Sequence, residues 1–301
     1  MLRALLRSLK SMTSNHDPDP RAHNRVAIEA DVQPDLARQS TDEASPAPSK
    51  NDLPTLGDPG LLEAKMSGWC LRETAELFKG FPITAEDTVL DVGCGDGNYI
   101  KFCASFGAEV IFADIDEQKI AAVTNKLKGS PARSVRPLVT DVNPLPLSDE
   151  TATKIVAMEV IEHVDDPKLF LQELVRVGKP GAQFLITVPD PIGETLQKQL
   201  APPEYFEKPN HIRIIERDEL DGLVRGAGLE IEHKTYYGFY WCLWWLMFWT
   251  ADGDLSKPPP PLLKSWGETW HLLLTSEQGA HVKRVLDDFM PKSQVVIARK
   301  L

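Results

Sequence analysis

Residues 87–98 read Asp-Thr-Val-Leu-Asp-Val-Gly-Cys-Gly-Asp-Gly-Asn, so Asp91 and Asp96 punctuate three alternating glycines, Gly93, Gly95 and Gly97. An apolar run that opens into glycines, followed by a helical pattern to about Phe106, is a buried parallel strand, a tight turn and a helix start. Such a turn lets backbone approach a ligand where a Cβ would collide. The helix start adds unpaired N–H groups. A dinucleotide fingerprint needs G-x-G-x-x-G, and the sixth position from Gly93 is Asn98, so that spacing fails. Two carboxylates in the turn repel a pyrophosphate and attract an ammonium or sulfonium group. Asp114 closes the next apolar stretch, 108–114. A carboxylate there can accept from both ribose hydroxyls of whichever nucleoside is bound.

The elements that position these residues alternate in type. Asp116 is placed to cap a helix running to about Lys128. Residues 134–140 read as a strand, which Pro137 consigns to a sheet edge. Residues 153–158 are a further strand. Asp166 and Pro167 then start a helix to about Val177, and Lys179-Pro180-Gly181 turns the chain into a strand over 182–189. A long connection, 190–215, follows. In open α/β folds ligands sit at the carboxyl ends of strands, so this segment should overhang the site as a lid. A helix over 216–226 and strands at 229–237 and 294–299 complete the pattern. Upstream, Leu61, Leu62, Met66, Trp69 and Leu77 recur at helical spacing, which predicts a helix reaching towards Gly80, with Trp69 as core.

Composition bounds the function. The chain has 301 residues, 42% of them apolar, enough for one large domain with a true core, and a net charge of −11. That balance argues against a nucleic-acid partner, which needs a basic surface. Four scattered cysteines (Cys70, Cys94, Cys103, Cys242) form no C-x-x-C pair. This suits a reducing, cytoplasmic setting and suggests no zinc site. Residues 1–59 carry seven prolines from Pro18 onward and read as a disordered leader, with the domain over 60–301. Within 1–10, four leucines face three basic residues, the pattern of a membrane-surface helix, although a frayed terminus is the plainer reading.

Residues 238–291 separate the last two strands, and 238–249 hold four of the seven tryptophans. A helix there would be roughly 20 Å long, short of the 30 Å hydrocarbon core. Its aromatic content fits a membrane interface, peripheral to the bilayer and open to a lipid-linked acceptor. The other reading, preferred on balance, buries 238–250 within the insertion or in a homodimer. Pro258–Pro261 is a stiff spacer, and one or two helices over 262–290 could cover the aromatic stretch.

The glycine turn resembles motif I of class I S-adenosylmethionine-dependent methyltransferases, hydrophobic-Leu-Asp-x-Gly-x-Gly-x-Gly. Three more stations resemble the type 11 and ubiquinone-biosynthesis members: Asp141-Val142-x-x-Leu-Pro, Glu159-Val-Ile-Glu162-His163-Val, and the Lys-Pro-Gly turn. The resemblance spans about 60–300. It implies a Rossmann-like α/β fold, a seven-stranded mixed sheet with helices on both faces, and S-adenosylmethionine as cofactor. Asp91 would anchor the methionine end, Asp114 the ribose, and Asp141 with the Val142 N–H the adenine. Glu159 is placed on the cofactor side. Metal-dependent relatives imply Glu159, Glu162, His163 and a fourth candidate, His211, as ligands for a divalent ion. The preferred reading is metal-free, with Glu162 and His163 organising the loop beneath the acceptor and His163 or His211 as base. Tyr205, Phe206, His211 and Arg213 are lid candidates for acceptor contact. The expected reaction is methyl transfer to a small-molecule or lipid-linked acceptor, O-methylation favoured. An NAD-linked oxidoreductase and a non-catalytic cofactor-binding partner protein are the alternatives.

Overall fold

The computed structural model describes residues 59–301; the leader, apart from Pro59, and the leucine-striped segment 1–10 lie outside them. The elements are α1 (Pro59–Met66), β1 (Trp69–Leu71), β2 (Glu76–Phe78), β3 (Phe81–Pro82), β4 (Thr88–Val92), α2 (Asn98–Ala104), β5 (Glu109–Asp114), α3 (Glu117–Lys126), β6 (Ser134–Val139) and β7 (Ala152–Met158), continuing with α4 (Pro167–Val177), β8 (Gly178–Pro189), α5 (Pro191–Gln197), α6 (Arg217–Gly226), β9 (Leu229–Tyr237), α7 (Phe239–Thr250), α8 (Pro261–Leu274), α9 (Gly279–Phe289) and β10 (Ser293–Lys300). The main sheet runs β6-β5-β4-β7-β8-β10-β9. Six strands run in one direction, and β10 alone runs against them, antiparallel to both β8 and β9. This is the expected seven-stranded mixed sheet, with the Pro137 strand at its edge.

Alternation along the central strands explains the two covered faces. Leu90 and Val92 point into one core with Ile111, Ile155, Phe184, Phe170 and Leu174. Val89 points the other way, into a core with Val110, Phe112, Ile100 and Val123. Caps start the helices where their residues foretell. The Asp116 carboxylate accepts from the N–H groups of Gln118 and Lys119, and the Asp166 carboxylate from those of Lys168 and Leu169.

The long helix expected before β4 does not form. α1 ends at Met66, and the chain then folds into a small three-stranded sheet, β1-β2-β3. Gly68, at φ +96°, breaks the helix, and a Cβ there would lie 3.0 Å from Lys79 Cβ. Trp69, Leu77, Phe78 and Phe81 are all buried, but as strand residues. Two further boundaries move: β8 already begins at Gly178, and α6 is started by a capping box of Glu216 and Glu219.

The insertion is three helices, α7, α8 and α9. Phe239 and Tyr240 pack against Trp266 and Trp270 of α8, the Tyr240–Trp266 pair stacked at 5.8 Å. No helix among the described residues is long and apolar enough to cross a membrane. A buried ionic cluster fastens α1 to the insertion. Lys283 on α9 contacts Glu63 at 3.0 Å and also Asp287, and Asp287 accepts from the Gly238 and Phe239 N–H groups at the start of α7. Trp270 Nε1 donates to the other Glu63 oxygen at 2.9 Å. Removing one partner of a buried set strands the remaining charges, at about 3–5 kcal/mol. Lys283→Met should therefore lower the unfolding free energy by that amount, read as a lower urea midpoint at unchanged slope; a loss under about 1 kcal/mol would show that the cluster is not a fastening.

Candidate active site

The site is built at the carboxyl ends of β4, β5, β7 and β8. β4 delivers Asp91, which is 4% exposed. Its Oδ2 atom is buried and has no hydrogen-bond partner. Burial, then the nearby Asp114 carboxylate, pushes the Asp91 carboxyl up to about 7. A buried carboxylate with no countercharge is costly to hold, so this position fits a cationic ligand group.

The following turn is closed on itself. Gly93 and Cys94 donate to the Ala113 carbonyl at 2.8 and 3.0 Å, and Gly97 to the Cys94 carbonyl at 2.8 Å. Gly93 and Gly97 both have positive φ, +72° and +71°, and both lack room for a side chain. A Cβ on Gly93 would lie 2.5 Å from Val160, and one on Gly97 2.7 Å from Val123. Asp114, at the end of β5, ties the turn in place: Oδ2 accepts from the Gly95 N–H at 3.1 Å and Oδ1 from the Asp116 N–H at 3.0 Å. Lys119 stands 3.6 Å from it. Asp91, the three glycines and Asp114 are thus one unit, as their spacing suggested.

Asp141 and Val142 follow β6, and Thr140 just before them donates its N–H to the Asp114 carbonyl at 3.1 Å. Asp141 Oδ1 accepts from the Asn143 N–H, and the Val142 N–H is already given to Thr140 Oγ1, both at 3.1 Å. Val142 has φ +68°. A β-branched residue in the left-handed region is a true outlier, and such strain clusters at ligand sites.

Glu159 begins a second group after β7, also at positive φ, +52°. Its carboxylate accepts from Thr187 Oγ1 at 3.0 Å and from Lys292 Nζ at 2.9 Å. Burial works against the Lys292 charge, but Glu159 and then Glu194 outweigh it and hold the ammonium above its ordinary range. Glu159 therefore does not join the ligand set that the resemblance implied.

Glu162, His163 and His211 do come together, each offering an atom within 4.8 Å of the others. Glu162 is 1% exposed, and neither carboxylate oxygen has a hydrogen-bond partner. Burial, then Glu159, pushes its carboxyl well up. His163 Nδ1–H donates to the Asn210 and Pro209 carbonyls at 2.9 and 3.2 Å, which leaves Nε2 as the lone-pair atom. That Nε2 is buried and unpartnered. Burial, then His211, brings His163 down to about 4, so its 3.8 Å approach to Glu162 is no ion pair at neutral pH. His211 is buried too, and its Nδ1–H donates to Glu194 Oε2 at 2.8 Å. Burial opposes the Glu194 charge, yet His211 and Lys292 together hold that carboxyl below its ordinary value.

The segment 190–215 does overhang this group, as a lid built of α5, a short 3₁₀ turn (Pro203–Phe206) and an irregular run to Ile215. Tyr205 is buried, its ring 4.7 Å from His211, and Phe206 lies edge-on to Tyr205. Arg213 is spent elsewhere, donating to the Val164 and Asp165 carbonyls. Trp69 is core, packed on Phe78, Tyr99 and Tyr237. Lys292, Thr187 and Glu194 were not foreseen. Nothing in their spacing marks them, although Glu194 lies inside the lid segment.

A glycine turn at the end of the central strand, an acidic residue after the next and a buried acid–imidazole group under a lid define a Rossmann-like nucleoside-binding α/β protein. The chain belongs to the methyltransferase-domain family, whose model matches residues 62–234, more than half of the sequence, and to the class I S-adenosylmethionine-dependent methyltransferases within it. The match ends before α7, so the insertion lies outside it. A probable S-adenosylmethionine-dependent methyltransferase of Mycolicibacterium smegmatis is 32% identical over 60% of this chain and 66% of its own. A ubiquinone biosynthesis O-methyltransferase of Rhizobium etli is 30% identical over 49% of this chain and 61% of its own. The chain thus spans about half to two thirds of the curated relatives it matches. Among solved structures, a geranyl diphosphate methyltransferase in complex with geranyl diphosphate and sinefungin superposes with a TM-score of 0.51 at 15% identity, over 73% of this chain and 74% of its own. The cyclase SpnF superposes at 0.50 and 19% identity, over 80% of each. Both show the fold alone.

Proposed function

We propose that the chain transfers the methyl group of S-adenosylmethionine to an acceptor oxygen presented beneath the lid. The observation that supports this most is the unpartnered Asp91 carboxylate beside a glycine turn with no room for side chains. Asp91 would hold the ammonium of the methionine end, Asp114 the ribose, and the strained Asp141–Val142 turn the adenine edge. Glu159, fixed by Thr187 and Lys292, would border the cofactor on the acceptor side. Nε2 of His163 or of His211 would take the acceptor proton as the methyl group arrives. Alignment of the reacting atoms can supply about 7–11 kcal/mol, and a placed base roughly 10²–10⁴-fold. The name of the Rhizobium relatives favours an oxygen on an apolar, prenyl-linked ring. The exposed Leu272 and Phe289 of the insertion would then meet a membrane surface holding such an acceptor. A labelled methyl group should pass to a prenylated catechol in vesicles faster than to the bare ring. Tight S-adenosylhomocysteine binding with no transfer to either would favour a non-catalytic partner protein.

A second reading is favoured by one observation: the Glu162 oxygens and His163 Nε2 are buried, unpartnered and close to His211. One carboxylate and two imidazoles are a fitting donor set for a divalent transition ion. Such an ion would supply Lewis-acid charge to an acceptor hydroxyl. In this reading Glu162, His163 and His211 hold it, and the carbonyls of Pro209 and Asn210 fix the His163 ring.

A further inference from the structure

Behind His211 runs a closed chain of hydrogen bonds that ends in the insertion. Glu194 accepts from His211 Nδ1–H at 2.8 Å through Oε2, and from Gln197 Nε2 at 3.0 Å through Oε1. The Gln197 side-chain oxygen, Oε1, in turn accepts from Trp249 Nε1–H at 3.2 Å. His211, Glu194, Gln197 and Trp249 are all buried, so water is not available to replace a lost partner. A second path joins the same two ends. The Trp249 ring lies 5.1 Å from Tyr205, and Tyr205 lies 4.7 Å from His211. Trp249 sits in the last turn of α7, beyond the family match at 234.

We infer that Trp249 and Gln197 are positioning residues for His211, acting through Glu194 on one edge of the imidazole and through Tyr205 on its face. The ring has one orientation, in which Nδ1–H meets Glu194 and Nε2 keeps its lone pair. A carboxylate on the far nitrogen fixes both tautomer and orientation and raises the basicity of the near one. The insertion therefore completes the acid–imidazole group, and disturbance of α7 reaches Nε2 of His211. This rests on the proposed role of His211, whether as base or as ligand, and the test separates the two questions.

The full chain, labelled with ¹⁵N-histidine, is examined by long-range ¹H–¹⁵N correlation at one fixed pH of 8, with His211→Gln assigning the signal. Wild type should show a single Nδ1–H tautomer. Glu194→Gln, which keeps an acceptor oxygen, should retain it. Glu194→Ala and Trp249→Leu should populate both tautomers. Trp249→Phe, which keeps the ring against Tyr205, should fall between. Affinity for Co²⁺, followed by its visible absorption, should drop about 10–100-fold in Glu194→Ala and at least several-fold in Trp249→Leu, with recovery in Glu194→Gln. Unchanged S-adenosylhomocysteine affinity in each variant shows that the domain is folded. A wild-type His211 tautomer in both Glu194→Ala and Trp249→Leu overturns the inference. Absence of Co²⁺ binding in wild type overturns only the metal reading, because the tautomer measurement needs no metal.

Discussion

Asp91→Asn should make the protein more stable and nearly unable to bind its cofactor. The two effects have one cause. Asp91 is buried, its Oδ2 has no partner, and its carboxyl is pushed up to about 7 from an ordinary 3.8. A carboxyl raised on folding favours the protonated state in the native protein. Stability is then lost as pH rises from the unfolded value through the folded one, and the loss levels off above about pH 7. A shift of this size corresponds to about 4 kcal/mol. Asparagine carries no charge to bury, so the melting temperature of Asp91→Asn should exceed that of wild type at pH 8, and the gain should shrink as pH falls towards 5. Binding goes the other way. Losing one partner of a buried charge pair costs about 2–5 kcal/mol, roughly 30-fold to several thousand-fold in Kd. In wild type the ammonium needs an ionised Asp91, so affinity should rise about tenfold per unit up to about pH 7, with proton release on binding. Calorimetric titration with S-adenosylmethionine, S-adenosylhomocysteine and NAD at several pH values checks each part. Equal affinity in Asp91→Asn would remove Asp91 from the cofactor site, and binding of NAD alone would remove S-adenosylmethionine.

Asp91 and the glycine turn were legible because the constraint is local. A strand that must reverse within five residues and still admit a ligand needs glycine at fixed steps. Asp114 was legible for a similar reason, one strand and one helix later. The helix extended over Trp69 and Leu77 failed because a few large apolar residues fit either period, and Gly68 decided between them. Lys292 was illegible for a topological reason. It meets Glu159, 133 residues away, only because β10 enters between β8 and β9 and brings residue 292 back to the mouth of the site. That ion pair is also why Glu159, which the motif groups with Glu162 and His163, stands outside their cluster. Glu194 and Trp249 share the difficulty. Their meeting depends on how a lid helix packs on an insertion, and single-sequence spacing carries no trace of it.

The buried group at Glu162 yields the second large effect. In the metal reading of the site, Mn²⁺ or Zn²⁺ at about a hundred times its Kd should stabilise wild type by about 2.7 kcal/mol, which for a domain of this size raises the melting temperature by roughly 5–10 °C. Glu162→Gln should abolish that rise while leaving the metal-free melting temperature equal or higher. Burial pushes the Glu162 carboxyl well up, so the folded protein disfavours its charge, and the amide, which carries none, avoids that cost. His163→Ala should abolish the metal effect as well. Its imidazole, brought down to about 4, offers a free Nε2 lone pair throughout the neutral range. Because a cation binds the ionised carboxylate, which burial disfavours, affinity should increase with pH. The same scan separates the two readings of the site. A cation-dependent rise confined to wild type assigns Glu162, His163 and His211 to a metal. The same rise in wild type and Glu162→Gln marks surface binding. No rise leaves the two Nε2 atoms as bases, with Glu162 as part of the floor beneath the acceptor.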